Sequence, residues 1–267
     1  MTDKGVRPRR ARDTRRRELS QNFLRGKEVA GWFVDLSDLN PRGLVLEVGG
    51  GEGIISEAAA ARCRELKVYE LDAAFVAKLE KRLSHHGNIH VVAGDFLSAR
   101  PPDETFQVIG NVPFSITAPV IDWCLNAVAL DSATFITQLE YARKRTGDFG
   151  RWSLLTVRTW PFFSWELRGR ISRTEFRPVP RVDAGVLQLI QRARPLIPSS
   201  RYRAYERMVE LGFTGVGGSL HASLSTRFPT ARVSRAFAAA GVERDRVVAF
   251  VHPSEWLDIF EALNARG

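Results

Sequence analysis

A regular alternation of short apolar runs and longer amphipathic segments, between Leu44 and about Gln138, limits the fold of this chain more than any other feature. The apolar runs occupy residues 44–48, 66–70, 89–92, 107–109 and 133–136. The segments predicted as helices between them occupy residues 54–62, 73–83 and 118–125. Strands that alternate with helices of about ten residues form right-handed βαβ units. The pattern therefore predicts an α/β fold with a doubly wound, Rossmann-like, mostly parallel sheet.

The C-terminal half of the chain follows a different pattern. After a helix near residues 152–159, apolar runs at 165–171 and 185–190 have no room for a helix between them, so we expect an antiparallel hairpin that closes the sheet. Pro195 and Pro198 then mark a boundary, after which Gly and Pro interrupt short helical segments. We predict three parts: a basic arm at 1–17, a main domain at 18–193 and a small all-helical domain at 194–267.

The first predicted strand ends in a glycine-rich turn, Glu47-Val48-Gly49-Gly50-Gly51-Glu52-Gly53. Glycines at such a turn let the backbone approach a ligand at the carboxyl edge of the sheet. The dinucleotide-binding fingerprint has a glycine five residues after the first, and this chain has Ile54 there. Glu47 two residues before Gly49, with Gly51 following, is instead the pattern of a methyltransferase.

Acidic residues follow the next two strands. Glu70 ends the second strand, where a carboxylate can accept hydrogen bonds from both ribose hydroxyls of a nucleoside. Asp95 follows the third strand and is placed to accept from the amine of a cofactor adenine, with Phe96 covering the ring. Each carboxylate alone is more often a cap or a solvated turn, and we expect Asp72 to cap the helix at 73–83. Three such features at successive strand ends favour a cofactor that contains a nucleoside.

The tetrapeptide Asn111-Val112-Pro113-Phe114 directly follows the fourth strand. An exocyclic base amine is a poor nucleophile because its lone pair is delocalised into the ring. If the Asn111 side-chain oxygen and the Val112 carbonyl each accept one N–H, the amine moves toward a tetrahedral, nucleophilic state, while Phe114 stacks on the base. This site suits the methylation of adenine N6. For the tetrapeptide alone, the alternative is an Asn-x-Pro turn that closes a strand.

The formal net charge of +9 indicates a polyanionic partner. Residues 1–17 carry +6 of this charge, and their composition predicts an arm that is disordered when free. The arm lacks the apolar segment of a secretory signal. Contact with RNA phosphates, a transit peptide and a solubilising tail are the alternative interpretations. The RNA-contact interpretation assigns that role to Arg15, Arg16 and Arg17.

The sequence does not predict a metal or a membrane partner. Cys63 and Cys124 lie in apolar helical patterns, so we expect both in the core rather than in a zinc site or a disulfide. The five histidines show no ligand spacing, and no apolar run approaches membrane-spanning length. These features predict a protein of the reducing cytoplasm.

Two further basic stretches are candidates for RNA contact. Between residues 168 and 181 five arginines are interleaved with aromatic residues, whereas acidic residues contribute only Glu175. The residues assigned to RNA there are Arg168, Arg170, Phe176 and Arg181. The aromatic residues assigned instead to the hairpin core are Phe162, Phe163 and Trp165. Arg143 and Lys144 form the other stretch, for which a solvated helix surface is an equal alternative.

The order of these motifs resembles that of the rRNA adenine N6-methyltransferases, over about residues 18–193. Within those enzymes the chain looks most like the Erm branch, which methylates one adenine of 23S rRNA in the peptidyl-transferase region and confers resistance to macrolides, lincosamides and streptogramin B. The motifs that carry the resemblance are Gln21-Asn22-Phe23-Leu24, Glu47-x-Gly49-x-Gly51, Glu70, Gly94-Asp95-Phe96, Asn111-Val112-Pro113-Phe114 and Phe176-Arg177-Pro178-Val179-Pro180-Arg181-Val182.

The resemblance implies S-adenosyl-L-methionine as cofactor and 23S rRNA as partner, bound by a monomer before the ribosome is fully assembled. It implies that Asn111 also takes the target amine and that Phe114 and Phe176 sandwich the flipped adenine, with Val112 and Pro113 in the same catalytic motif. The small C-terminal domain is expected to bind RNA. The cofactor-binding residues predicted in this way and from the turns are Gln21, Asn22, Leu24, Glu47, Gly49, Gly51, Glu70, Asp95, Phe96 and Asn111.

This chain departs from the family at two positions, where Ile and Tyr are common and Val112 and Phe114 stand here. Without the tyrosine hydroxyl, Phe114 keeps an aromatic face for stacking but cannot take part in a proton relay. The nearest alternative is a small-subunit (16S) rRNA adenine dimethyltransferase, which shares the cofactor motifs. A non-catalytic nucleic-acid-binding factor on the same fold conflicts with the intact Asn111, Pro113 and Asp95. A DNA adenine methyltransferase would typically have two prolines after the Asn.

Overall fold

The computed structural model of the protein describes residues 22–265. The strands are β1 Phe23–Leu24, β2 Leu44–Val48, β3 Glu65–Glu70, β4 Ile89–Ala93, β5 Phe106–Asn111, β6 Leu130–Gln138, β7 Phe163–Ile171, β8 Phe176–Arg177 and β9 Ala184–Gln191. The helices are α1 Lys27–Leu36, α2 Ile54–Ala60, α3 Ala73–Leu83, α4 Thr117–Leu125, α5 Leu139–Thr146, α6 Leu154–Thr159, α7 Ser199–Gly212, α8 Leu220–Ser225, α9 Thr230–Ala240 and α10 Pro253–Asn264. The predicted residues Gln21, Arg15, Arg16 and Arg17 lie outside the described part of the chain.

Seven strands form one sheet in the order β4-β3-β2-β5-β6-β9-β7, and β1 pairs separately with β8. The pairs β2 with β3, β3 with β4, β2 with β5 and β5 with β6 are all parallel. The chain proceeds from β2 first to one side of the sheet and then to the other, which opens a crevice at the carboxyl ends of β2 and β5. The predicted doubly wound α/β fold is confirmed.

The central strand shows why the sequence pattern was informative. All five residues of β2 are buried, as expected for a parallel strand that helices cover on both faces. The helix that follows β3 begins where Asp72 accepts a hydrogen bond from the Ala74 backbone N–H at 2.8 Å, so the predicted cap is confirmed. Cys63 and Cys124 are both free thiols in the buried core, as predicted.

The described residues divide into two compact units, 22–139 with 168–186 and 140–167 with 187–265. The first unit has a core that includes Phe33, Leu66 and Ile109. The second has its own core, which includes Phe237 and Trp256.

The units do not coincide with the predicted boundary after residue 193. Val157 belongs to the core of the second unit, and its carbonyl accepts a hydrogen bond from the buried Tyr205 hydroxyl at 2.9 Å. Residues 140–167 therefore pack with the C-terminal helices. The two closing strands, β7 and β9, are neighbours in the sheet as predicted, and Phe163 and Trp165 of β7 are buried.

Candidate active site

The first unit contains a cleft with about 720 Å³ of free space at the carboxyl ends of its central strands. Side chains and turns from the β2, β3 and β5 ends line it, together with the β1 and β8 pair. The predicted site residues in its lining are Asn22, Leu24, Glu47, Gly49, Gly51, Glu70, Asn111, Val112, Pro113, Phe114 and Phe176. Residues from distant parts of the sequence thus meet in one place, because the parallel strands end at the same edge. The antiparallel pair of β1 with β8 adds Asn22, Leu24 and Phe176.

The backbone of the glycine-rich turn is left-handed, a conformation that favours glycine, with φ of 75° at Gly49 and 51° at Gly51. The Gly51 N–H donates to the Glu70 carboxylate at 2.9 Å. A Cβ on residue 51 would lie 3.0 Å from the Phe23 ring, so glycine also makes room for that ring. A Cβ on residue 49 would meet no atom within 4 Å, so the turn leaves space for a ligand beside Gly49, although the Gly49 and Gly50 N–H groups already donate to the Tyr69 carbonyl.

The Glu70 carboxylate is fixed in orientation by two backbone donors. One oxygen accepts from Gly51, and the other accepts from the Asp72 N–H at 2.9 Å. Only 4% of Glu70 is exposed, and it lies at the base of the cleft lining. A carboxylate oxygen can accept more than one hydrogen bond, so Glu70 keeps the capacity to receive a pair of ligand hydroxyls.

Glu47 is the most unusual group in the cleft. Its carboxyl is fully buried, one oxygen accepts from the Ser56 hydroxyl at 2.5 Å, and Oε1 has no hydrogen-bond partner among the described residues. Burial raises the pKa of Glu47 to about 8; the Ser56 hydrogen bond opposes this shift and the nearby Glu70 adds to it. A buried oxygen without a partner is costly, and a donor from a ligand would satisfy it.

Asn111 ends β5, and its side-chain orientation is set by a residue distant in sequence. Its amide nitrogen donates to the Asn22 carbonyl at 2.6 Å, which leaves the side-chain oxygen as the acceptor. The next N–H, from Val112, donates to the Ile136 carbonyl at 3.3 Å, and the Pro113 carbonyl accepts from Ile116 at 3.0 Å. The tetrapeptide thus forms the Asn-x-Pro turn that closes the strand, and it also holds the Asn111 side chain with its oxygen as a hydrogen-bond acceptor.

Phe114 and Phe176, the two predicted stacking residues, differ in exposure. Phe114 is half-buried, whereas 2% of Phe176 is exposed and its ring also belongs to the core of the first unit. The Phe176 backbone is held by pairing with Leu24 and by the Arg25 side chain, which donates to its carbonyl at 2.9 Å. Phe176 therefore contributes an almost fully buried ring to the wall of the cleft.

Asp95 and Phe96 lie outside the cleft lining. Asp95 is exposed and caps the short 3-10 helix Phe96–Ser98 by accepting from the Leu97 N–H at 3.0 Å. The Phe96 ring is buried against Tyr69 and Trp123, with ring centroids 5.4 and 4.4 Å away. The alternative of a capping carboxylate is thus realised at Asp95, and its predicted contact with a cofactor stays a prediction.

The predicted RNA-contacting arginines of the first unit mostly have acidic partners. Arg168 pairs with Asp38 at 2.8 Å, and Arg170 pairs with Asp183. The Arg173 backbone N–H and the Arg170 guanidinium lower the pKa of Asp183, so this carboxylate stays charged. Arg181 is exposed, and its assignment to RNA stays a prediction.

Sequence reasoning missed several residues of the cleft. They are Phe23, Gly50, Glu52, Ile54, Ile55 and Pro180. Glu52 lies in the quoted glycine-rich turn, and Arg177 pairs with it at 3.0 Å. Phe23 and Pro180 lie within quoted motifs, but the pairing of β1 with β8 that brings them to the cleft joins residues 154 positions apart and has no signal in local periodicity.

The described part of the chain holds no group of three or more His, Cys, Asp or Glu side chains that could bind a metal ion. Within the same residues, none of the helices combines the length and apolar character needed to cross a membrane. The lining of the cleft includes two carboxyl groups, Glu47 and Glu70, and the Asn111 amide, groups suited to a nucleoside and its polar substituents.

Comparison with known proteins identifies the family of this chain. A profile of the family described as ribosomal RNA adenine dimethylase matches residues 12–265. An rRNA adenine N-6-methyltransferase of Streptomyces fradiae is 53% identical over 250 residues, which cover 93% of this chain and 78% of that protein. One from Saccharopolyspora erythraea is 47% identical over 255 residues, which cover 96% of this chain and 67% of that protein. This chain therefore belongs to the ribosomal RNA adenine dimethylase family.

Solved structures lead to the same class. The crystal structure of the 23S rRNA methyltransferase ErmE superposes with a TM-score of 0.89 at 47% identity, covering 91% of this chain and 100% of that one. A dimethyladenosine transferase of Plasmodium falciparum has a TM-score of 0.75 at 17% identity, covering 91% of this chain and 97% of that one, and supports the fold alone. The predicted enzyme class, an rRNA adenine N6-methyltransferase, is confirmed.

Proposed function

We propose that this protein transfers the methyl group of S-adenosylmethionine to N6 of one adenine in 23S rRNA and thereby confers macrolide resistance. The observation that carries the proposal is the Asn111 amide, which Asn22 holds so that the side-chain oxygen is the acceptor available to a target amine among residues 22–265. The structure of ErmE, described as a 23S rRNA methyltransferase, and a relative described as a mycinamicin-resistance protein, 34% identical over 232 residues, support the choice of substrate and consequence.

The cleft fits S-adenosylmethionine on the chemistry of its own groups. Glu70 is oriented to accept from the ribose hydroxyls, and the free space beside Gly49 allows close approach of the ligand. The unpartnered Oε1 of Glu47, a carboxyl whose pKa burial raises to about 8, suits a polar group of the ligand that can hydrogen-bond to a neutral carboxyl. When bound, S-adenosylmethionine supplies an electrophilic methyl group on its sulfonium.

The target amine is activated by the β5 terminus. The Asn111 side-chain oxygen and the Val112 carbonyl each accept one N–H, which draws the nitrogen lone pair out of conjugation and aims it at the methyl group. Phe114 stacks on the flipped adenine, and Phe176 supports the opposite side from the wall of the cleft. The amine proton leaves to water after transfer, so no side chain has to act as base.

The wider assignment follows from this chemistry. The first unit, with the cofactor and target site, performs the transfer, while the second unit and the basic arm contact RNA. The protein acts as a monomer in the cytoplasm. Its substrate is 23S rRNA that is not yet fully assembled into ribosomes, because the target base must be unstacked to reach the cleft. Within the two units, the exposed side chains of Arg181 and Lys144 are proposed to contact RNA phosphates.

The test of this function separates it from the small-subunit alternative, to which a Listeria monocytogenes relative is 28% identical over 230 residues. Expression in a macrolide-sensitive bacterium should confer macrolide resistance, because N6-methylation removes a hydrogen-bond donor and adds bulk where the drug binds. Expression in a strain that lacks its small-subunit dimethyltransferase should not restore kasugamycin sensitivity. The opposite pattern in the two strains would reassign the protein to the small-subunit enzymes.

A further inference from the structure

The second unit carries an exposed surface in which arginine and aromatic side chains alternate. We name it the basic aromatic patch and define it by Arg143, Lys144, Phe149, Arg151 and Phe250. The Arg143 guanidinium lies 5.0 Å from the Phe149 ring centroid, and the Arg151 guanidinium lies 5.3 Å from the Phe250 centroid. Trp152, next to Arg151, donates its backbone N–H to the Ala249 carbonyl at 2.8 Å, which ties the two parts of the patch together.

Phe149 occupies a conformation that phenylalanine rarely adopts. Its φ is 64°, a left-handed value that is strained for a bulky side chain and easy for glycine. The turn around it is well fixed: Gly150 donates to the Gly147 carbonyl at 2.9 Å, and the Asp148 carboxylate accepts from the Phe149 N–H at 3.0 Å. The Trp152 ring packs directly under Gly147. A fixed scaffold therefore holds a strained aromatic residue.

This strain does not serve packing of the ring. Phe149 is 72% exposed and Phe250 is 43% exposed, so both rings face solvent. Arg143 covers one side of the Phe149 ring while pairing with Asp148 at 2.7 Å, which leaves the other ring face open. Lys144 is exposed and has no acidic partner within residues 22–265. An open aromatic face backed by a guanidinium and flanked by cations suits a nucleobase and its phosphates.

We propose that the basic aromatic patch binds unpaired nucleotides of the RNA substrate, with one base stacked on the open face of Phe149 and phosphates held by Lys144 and Arg151. The inference rests on the proposed rRNA methyltransferase function and adds an RNA-binding site outside the catalytic cleft. RNA fits better than a protein surface because each single-stranded nucleotide offers both a flat π face and a negative charge.

The variant Phe149→Gly tests the site without damage to the fold, because glycine adopts the observed φ without strain. With a protein-free transcript of the peptidyl-transferase region of 23S rRNA, we expect about tenfold weaker binding for Phe149→Gly and near wild-type binding for Phe149→Tyr, which keeps the ring. Affinity for S-adenosylmethionine and thermal stability should not fall. Equal binding of this transcript by wild type and Phe149→Gly would overturn the proposal.

Salt dependence separates the roles within the patch. Lys144→Ala should make the negative slope of log affinity against log salt shallower by about 0.7–0.9, whereas Phe149→Gly should leave the slope unchanged. A loss with Phe149→Gly that occurs only on ribosomal particles, and not on the protein-free transcript, would assign the patch to a protein partner and overturn the RNA site. Binding is measured apart from methylation, so a wild-type protein that binds the transcript but does not methylate it would contradict the proposed function and not the patch.

Discussion

At the scale of single residues, the proposed chemistry depends most on Asn111, which is held by Asn22 and lines the same cleft as the buried Glu47 and Glu70. Replacement of Asn111 by Ala removes one of the two acceptors for the amine. We expect the single-turnover rate of methyl transfer to fall about a hundredfold or more, because oriented groups of this kind contribute several kcal/mol in a transition state. S-adenosylmethionine affinity, measured by calorimetry, should fall much less.

Asn126→Ala is the matched control for that experiment, since Asn126 is exposed, caps the C-terminus of α4 and donates its side-chain amide to the Asp122 carbonyl of that helix. It should transfer methyl groups at the wild-type rate. If Asn111→Ala also does so, Asn111 is only a strand-closing turn residue.

Glu47 gives the second prediction, a dependence of stability on pH. The pKa of this carboxyl is about 8 in the folded protein and near 4.5 in an unfolded chain, because burial disfavours its charged form. Between these values the folded state holds a proton that the unfolded state has released. The free energy of unfolding therefore falls as pH rises from about 5 to 8, by at most about 1.4 kcal/mol per pH unit from this group.

Glu47→Gln should remove this contribution, since the carboxamide stays neutral at every pH. In urea unfolding at pH 5.5 and 7.5, the stability of Glu47→Gln relative to wild type should increase at the higher pH. Glu80→Gln, on an exposed helix face, should follow the wild type at both values. A Glu47→Gln curve parallel to the wild-type curve would show that Glu47 is ionised in the fold.

At the scale of elements, the end of β5 is shaped by its close approach to β2. A Cβ on Gly110 would lie 2.7 Å from the Val48 backbone oxygen, a contact that no side-chain movement relieves. Gly110→Ala should therefore shift Asn111, lower the unfolding free energy by about 1–3 kcal/mol and slow methyl transfer. The measurements are denaturant unfolding and the single-turnover rate.

Gly31→Ala provides the control for Gly110→Ala. Gly31 lies inside α1, and a Cβ there would meet no atom within 4 Å. This change should raise stability by up to about 1 kcal/mol and leave the rate unchanged, because alanine favours helix more than glycine does. If Gly110→Ala has wild-type stability and a wild-type single-turnover rate, β5 and β2 can move apart to admit the added methyl group without an energetic penalty.

The elements also show how far the sequence was sufficient. The parallel strands and the helices between them were predictable, because their apolar runs repeat locally and are covered on both faces. The β1 and β8 pair was not, because two-residue strands have no periodicity and the pairing joins distant residues. The sequence predicted Glu70 and Asn111 at strand ends, but the Asn22 carbonyl that orients Asn111 could be found only in three dimensions.

A similar division holds for the surface residues. A run of arginines predicts an affinity for RNA, yet Arg168 and Arg170 pair with Asp38 and Asp183, which lie elsewhere in the sequence. The exposed Phe149 had no signal in the sequence, because a left-handed phenylalanine cannot be recognised from its neighbours. The charge pattern of the sequence thus indicates the class of partner, whereas the residues that contact it can be identified only from the structure.

At the scale of the whole molecule, charge is concentrated in residues 1–17, which carry +6 of the +9. Deletion of these residues should flatten the slope of log RNA affinity against log salt by about two to four units, if the arm engages three or four phosphates. The modified nucleotide should not change, since phosphate contacts position the RNA and do not specify sequence. RNA binding at several salt concentrations tests this, and parallel slopes for the full-length and truncated proteins would place RNA contact on the folded units alone.

The central claim is that the whole protein methylates N6 of an adenine in 23S rRNA through the cleft that contains Asn111. The most direct measurement is incubation with S-adenosylmethionine labelled in its methyl group and with 23S or 16S rRNA, followed by digestion and mapping of the labelled nucleotide. We expect the label on N6 of one adenine in the peptidyl-transferase region of 23S rRNA, and incorporation about a hundredfold slower or less with Asn111→Ala. Label in 16S rRNA, or on another atom of the base, would contradict this account.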